Sequence, residues 1–180
     1  MSDVAERVDR ELAGLCGRGL RWTALWPLAS RVIAAAVPFD GAATAAVDPT
    51  TLLPTAGVLD GLPAGFCAGL LENEIWADDY DKVAALARGP RHVGVLGVST
   101  GGRPERSARY RELLAPIGLA REARAACVAA GGCWAWLDLY RRVTEEGRRG
   151  RDVRGVRRGL AHVRRSVVQD RQEVLHRDEP

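Results

Sequence analysis

Trp134, Trp136, Asp138 and Tyr140 alternate along one run, so in a strand they share a single face carrying three aromatic surfaces and one carboxylate. That set suits the floor of a mostly apolar site in which one acceptor orients a small molecule; the plainer alternative is core packing with Asp138 at a strand edge. Cys127, on the preceding run, supplies a thiol that either joins the site or packs as a small hydrophobe. Trp76 and Tyr80 stand four apart in a helical stretch that also holds Phe66. They either cap such a cavity or fill an ordinary core.

Other chemistries have weaker footing. Gly94-x-x-Gly97 followed by Gly101-Gly102 lacks the Gly-Lys-Ser/Thr that holds phosphates, so a turn is the better reading. Asp78, Asp79 and Asp81 read as a solvated acidic turn. No histidine shares a recognisable motif with a serine or cysteine nucleophile, so no enzymatic activity is expected. Cys16, Cys67, Cys127 and Cys133 contain no Cys-x-x-Cys, and with only 3 histidines the usual zinc spacings cannot be assembled. No metal or cofactor is called for.

The elements that must position these residues follow from periodicity. Val4, Val8, Leu12 and Leu15 mark an amphipathic helix over Asp3 to Leu15, ended by Gly17 and Gly19. A second helix carries Trp22, Leu25, Trp26, Ala29, Val32, Ile33 and Ala36 and stops at Pro38, with Thr23 as its cap. Ala42 to Val47 and Thr55 to Leu59 read as short strands around a turn-rich loop. Pro63 to Arg88 is helical in pieces, His92 to Val98 is a strand, and Pro104 to Leu114 is a helix. Ala123 to Tyr140 is a hairpin about Gly131-Gly132, a register that sets Cys127 opposite Trp136 and Ala125 opposite Asp138. Beyond it, Val153, Val156, Leu160, Val163 and Val167 recur as a heptad seam fit for a dimer interface. The order predicts an α+β fold, an antiparallel sheet of about five strands with helices on both faces.

The chain's 180 residues, 47% hydrophobic and 27% charged, suit one globular domain. The longest apolar stretch, Val32 to Phe39, is too short to span a bilayer, and no signal peptide is evident, so a cytoplasmic protein is expected. Residues 1 to 140 carry 14 Arg/Lys against 16 Asp/Glu, whereas residues 141 to 171 carry 11 against 4. This basic segment has no aromatic interleaving after Arg141, which favours a solvated helix face over a surface that stacks single strands.

Specific stretches add a resemblance. Val37-Pro38-Phe39-Asp40, the run Val47 to Thr55, Glu72-Asn73-Glu74, Thr100 to Leu114, and Gly132-Cys133-Trp134 leading to Leu139-Tyr140-Arg141 together resemble the sensor part of GAF-domain regulators of the LuxR family. The resemblance covers about residues 20 to 142. It implies a GAF-like, non-enzymatic domain that senses a small molecule and dimerises, with ties to transcriptional regulation and no catalytic residues to transfer. Family members continue into a helix-turn-helix, and nothing resembling one precedes Pro180, so sequence-specific DNA binding is not expected.

The expected organisation is therefore a GAF-like sensor domain over residues 1–145 with N-terminal helices, then a basic C-terminal helix over 146–180 that completes the domain or its dimer interface and ends in a short disordered tail. The ligand is expected to be small and apolar or aromatic, and the state a homodimer. The alternative is a structural or basic nucleic-acid-associated interaction module with no ligand.

Overall fold

The computed structural model describes residues 2–129 and 132–142. Five antiparallel strands form one sheet: β1 (Gly41–Val47), β2 (Pro54–Asp60), β3 (Val93–Val95), β4 (Leu119–Ala129) and β5 (Gly132–Arg142), in the spatial order β2-β1-β5-β4-β3. Helices α1 (Ser2–Cys16) and α2 (Trp22–Ala36) cover one face. The other is covered by α3 (Phe66–Trp76), α4 (Val83–Arg88), the short turn α5 (Leu96–Ser99) and the segment Tyr110–Leu114.

The α1 and α2 layer is built on the stripes their spacing predicts. Val8 and Leu12 from α1 meet Trp26, Ala29 and Ile33 from α2 and then Leu137 and Leu139 from β5, all buried. The helix begins at Trp22 with no side-chain cap, so Thr23 lies inside it rather than before it. Pro27 also sits inside. β1 is buried along its whole length and contains nothing larger than valine, which lets both helical layers approach the central strands. Between β1 and β2, Asp48 Oδ1 accepts hydrogen bonds from the backbone N–H groups of Thr50 and Thr51 at 3.1 and 2.8 Å, fixing the turn predicted there.

Three expectations change. The strand over His92 to Val98 is only Val93–Val95, because the chain turns helical at Leu96. The helix over Pro104 to Leu114 is broken into a 3₁₀ turn at Pro104–Arg106 and a π-helical turn at Tyr110–Leu114. The β4–β5 register differs by one residue from the one centred on Gly131-Gly132: Arg124 opposes Asp138, Glu122 opposes Tyr140 and Cys127 opposes Ala135. Ala129 already pairs with Gly132, whose φ of +140° is a conformation glycine favours. A side chain at Gly132 would also meet Pro49 at 3.0 Å. The heptad seam Val153, Val156, Leu160, Val163 and Val167 lies outside the described residues, as does the whole 146–180 segment.

Candidate functional site

One face of the sheet carries both an open cleft and a buried ionic cluster, and α3 walls both. The cleft, about 370 Å³, lies over β1 and β2. Ala43 and Ala45, paired with Leu59 and Gly57, form its floor, while Leu70 and Leu71 of α3 and Trp136 of β5 wall it. The floor residues are too small to fill the space beneath α3, so a cavity remains where larger side chains would have closed it. Trp136 is 3% exposed, and its indole N–H has no hydrogen-bond partner among the described residues.

The ionic cluster begins two residues along the same strand face. Arg124 Nε and Nη2 donate to the two oxygens of Asp138 at 2.7 and 3.1 Å, and Nη1 donates to Glu74 Oε2 at 2.9 Å. Arg109 forks onto Glu122, with Nε to Oε1 at 2.8 Å and Nη2 to Oε2 at 2.8 Å, while its Nη1 reaches Asn73 Oδ1 at 2.9 Å. Both guanidinium groups are buried. Asp79 Oδ2 accepts from the Arg109 backbone N–H at 2.7 Å, Asn73 Nδ2 at 2.9 Å and Ser107 Oγ at 3.0 Å. These bonds tie the end of α3, the loop at 79–82 and the segment at 107–109 to strands β4 and β5.

Burial and partners set the protonation preferences. Burial pushes the Asp138 carboxyl above its ordinary value, and the neighbouring Glu122 charge adds to this against the opposing pull of Arg124. The Tyr140 hydroxyl rises far above its usual range because it is buried and faces the Asp138 charge. Asp79 goes the other way: burial would raise it, but the donors from Arg109, Asn73, Tyr80 and Ser107 outweigh burial and hold it below 3.8. Asp81 is raised by burial, only partly offset by the Ser99 hydroxyl that donates to its Oδ1 at 2.7 Å.

The residues singled out from sequence separate accordingly. Trp136 reaches the cleft. Asp138 is engaged with Arg124, and Tyr140 packs edge-on to Phe66 with ring centroids 5.4 Å apart and donates to Asp138 Oδ2 at 3.3 Å. Trp134 is partly exposed. Trp76 ends α3 and is 83% exposed, while Tyr80, beyond that helix, lies under the Arg106 guanidinium at 5.7 Å. Cys127 is on the opposite sheet face, among Leu12, Trp26 and Leu137, where burial raises its thiol and suppresses thiolate. The aspartates at 78–81 are not a uniformly solvated turn, since the Asp79 side chain is 1% exposed.

Sequence reasoning missed Arg109, Glu122, Arg124, Glu74 and Asn73 as one constellation. The signal was the alternation Glu122, Arg124 facing Tyr140, Asp138, visible only in the correct hairpin register. Among the described residues, no group of three or more His, Cys, Asp and Glu side chains is arranged to hold a metal ion. No helix among them is long and apolar enough to cross a membrane.

No protein-family model matches this sequence, and no curated protein matches it significantly. Structural similarity reaches further. The phycoerythrobilin-bound GAF domain from a cyanobacterial phytochrome superposes with a TM-score of 0.51 at 12% identity, covering 97% of this chain and 100% of that one. The five-stranded antiparallel sheet between two helical layers is thus a GAF-like fold.

Proposed function

We propose that this chain is a small-molecule-sensing domain whose ligand lies in the cleft between α3 and strands β1 and β2. The observation that carries this reading is a largely apolar cleft of about 370 Å³, floored by Ala43, Ala45 and Gly57 and walled by Leu70, Leu71 and Trp136. The lining selects a small, largely apolar molecule. The structural neighbour's bound chromophore supports a sensing role for the fold in general terms. An open cleft also favours sensing over a purely structural interaction module, for which a filled core would serve better.

Ala45→Leu tests the site. The added side chain occupies the floor, so compounds that raise the melting temperature of the wild type in a broad aromatic library lose that effect in the variant. Hits that stabilise both proteins equally would place binding elsewhere. The reading includes no catalysis: Arg109 and Arg124 are engaged with Glu122, Glu74 and Asp138.

A relation to the sensor part of LuxR-family regulators, and dimerisation through the seam Val153, Val156, Leu160, Val163 and Val167, extend the proposal. The resemblance at Val47 to Thr55 and Glu72-Asn73-Glu74 supports the first, and an apolar stripe amid arginine supports the second. Analytical ultracentrifugation of wild type and Leu160→Asp tests the dimer: a wild-type monomer at high micromolar concentration would end it.

A further inference from the structure

We propose that Asp81 is a proton-operated latch: its neutral side chain ties the turn α5 to the loop 79–82, and its ionised side chain leaves for water and loosens both. The other carboxylates of the cluster each reach an arginine. Arg109 serves Glu122 and Asp79, and Arg124 serves Glu74 and Asp138. The Asp81 side chain has no ion-pair partner among the described residues, and Arg124 donates only to its backbone carbonyl, at 3.3 Å. Its Oδ1 accepts the Ser99 hydroxyl at 2.7 Å, while Oδ2 is buried with no hydrogen-bond partner among those residues. A negative charge held there is poorly served, and a neutral acid costs less.

The remaining surroundings bring no cation to it. Lys82, its neighbour, donates to the Asn73 and Ala77 carbonyls, and His92, just before β3, meets the Leu86 carbonyl at 2.9 Å. β3 and α5 contain no charged residue, and the Asp81 carboxyl lies against Gly94 of β3. Burial first, and the Glu122 charge after the Ser99 hydrogen bond, decide the balance: the carboxyl is raised above its ordinary value of 3.8 although Ser99, Arg109 and Arg124 pull it down. Asp81 is half-buried, so rotation of its side chain brings the carboxylate to water. The cluster survives that movement, because Arg109 Nη2 still holds the Tyr80 carbonyl at 3.0 Å and Glu74 Oε1 still accepts the Val83 N–H at 2.8 Å. What is lost is the link to Ser99. The proton-bound form is complete below the ordinary value and disappears as pH rises through the higher, folded one, so the latch is closed in acid and open above.

Side-chain carboxyl NMR and amide hydrogen exchange on the full chain, between about pH 4 and pH 8, test this. Asp81 is expected to titrate above 3.8. Protection of the amides at 79–82 and 96–99, corrected for intrinsic exchange, should fall over the same step, about tenfold for each pH unit separating the folded midpoint from the ordinary one. Amides of β1 should show no such step. Asp81→Asn is expected to remove the step from both segments. Ser99→Ala keeps the carboxyl but cuts the link, so the step should persist at 79–82, with its midpoint moved higher, and vanish at 96–99. If Asp81→Asn does not fold, the Ser99→Ala comparison decides alone. A midpoint at or below 3.8, an unchanged step at 96–99 in Ser99→Ala, or an equal loss of protection in β1 would each overturn the latch.

Discussion

Arg124 and Asp138 stand directly opposite each other on β4 and β5, and the guanidinium donates to both carboxylate oxygens across the strand pair at 2.7 and 3.1 Å. Each is fully buried, so neither charge has water to fall back on. The pair fixes the hairpin register, because a one-residue slip would put the two charges on opposite faces and turn one of them, unpaired, toward the α1 and α2 core.

Arg124→Leu is therefore expected to cost about 3–5 kcal/mol or prevent folding, since it leaves Asp138 and Glu74 buried without their cation. Adding Asp138→Leu to it should recover part of that loss, because the uncompensated carboxylate is removed. Urea denaturation of the single and double variants measures the difference, and a double variant weaker than Arg124→Leu alone would show that packing, not the charge pair, dominates here.

Tyr140→Phe separates the aromatic contact from the polar one. The ring keeps its edge-on contact with Phe66, while the 3.3 Å hydrogen bond to Asp138 is lost. A loss of about 1 kcal/mol in denaturant unfolding is expected. A change as large as that of Arg124→Leu would mean that Tyr140 is an essential partner of the cluster.

Gly94→Ala is expected to disturb the cluster's edge. A side chain at position 94 runs into the Asp81 side chain, which sits on this glycine as it accepts the Ser99 hydroxyl. Asp81 itself has φ of +54°, so its backbone has little freedom to yield. The variant should lose about 1–3 kcal/mol. Combining it with Ser99→Ala should cost less than the sum of the separate losses, because both act on the same carboxylate.

The layer of α1 and α2 was legible because its apolar spacing is local, and the strands were legible because turn residues bound them. The register of β4 on β5 was not, since Ala129, Ala130, Gly131 and Gly132 accept neighbouring turn positions with similar ease. What decides it lies far along the chain: Glu74 and Arg109 must reach Arg124 and Glu122, and that requires the fold. For the same reason Asp79 read as a solvent-facing charge, although Asn73, Ser107 and Arg109 converge on it. Alternation put Trp136, Asp138 and Tyr140 on one face, where Trp136 borders the cleft while Asp138 and Tyr140 serve the cluster. The cleft's floor escaped notice because Ala43, Ala45 and Gly57 signal a cavity only by the volume they lack.

Asp79→Asn should remove a specific acid-dependent part of the stability. The folded Asp79 carboxyl is held below its ordinary value of 3.8 by its donors, so the unfolded chain takes up the proton first as pH falls. Its stabilising contribution is complete above that ordinary value and is lost as pH drops through the lower, folded one. Asp138 and Asp81 act in the opposite sense: their folded values are raised, so the stability they contribute declines as pH rises from the unfolded value through the folded one. A pH curve of the wild type alone mixes these slopes. The difference between wild type and Asp79→Asn largely cancels the other groups and should shrink steadily below pH of about 4 after a plateau at neutral pH. At that plateau a loss of about 1.5–3 kcal/mol is expected, because an amide cannot accept from the three donors on Oδ2 as a carboxylate does. A difference that stays flat from neutral to strongly acidic pH would show that Asp79 acts through its shape and not its charge.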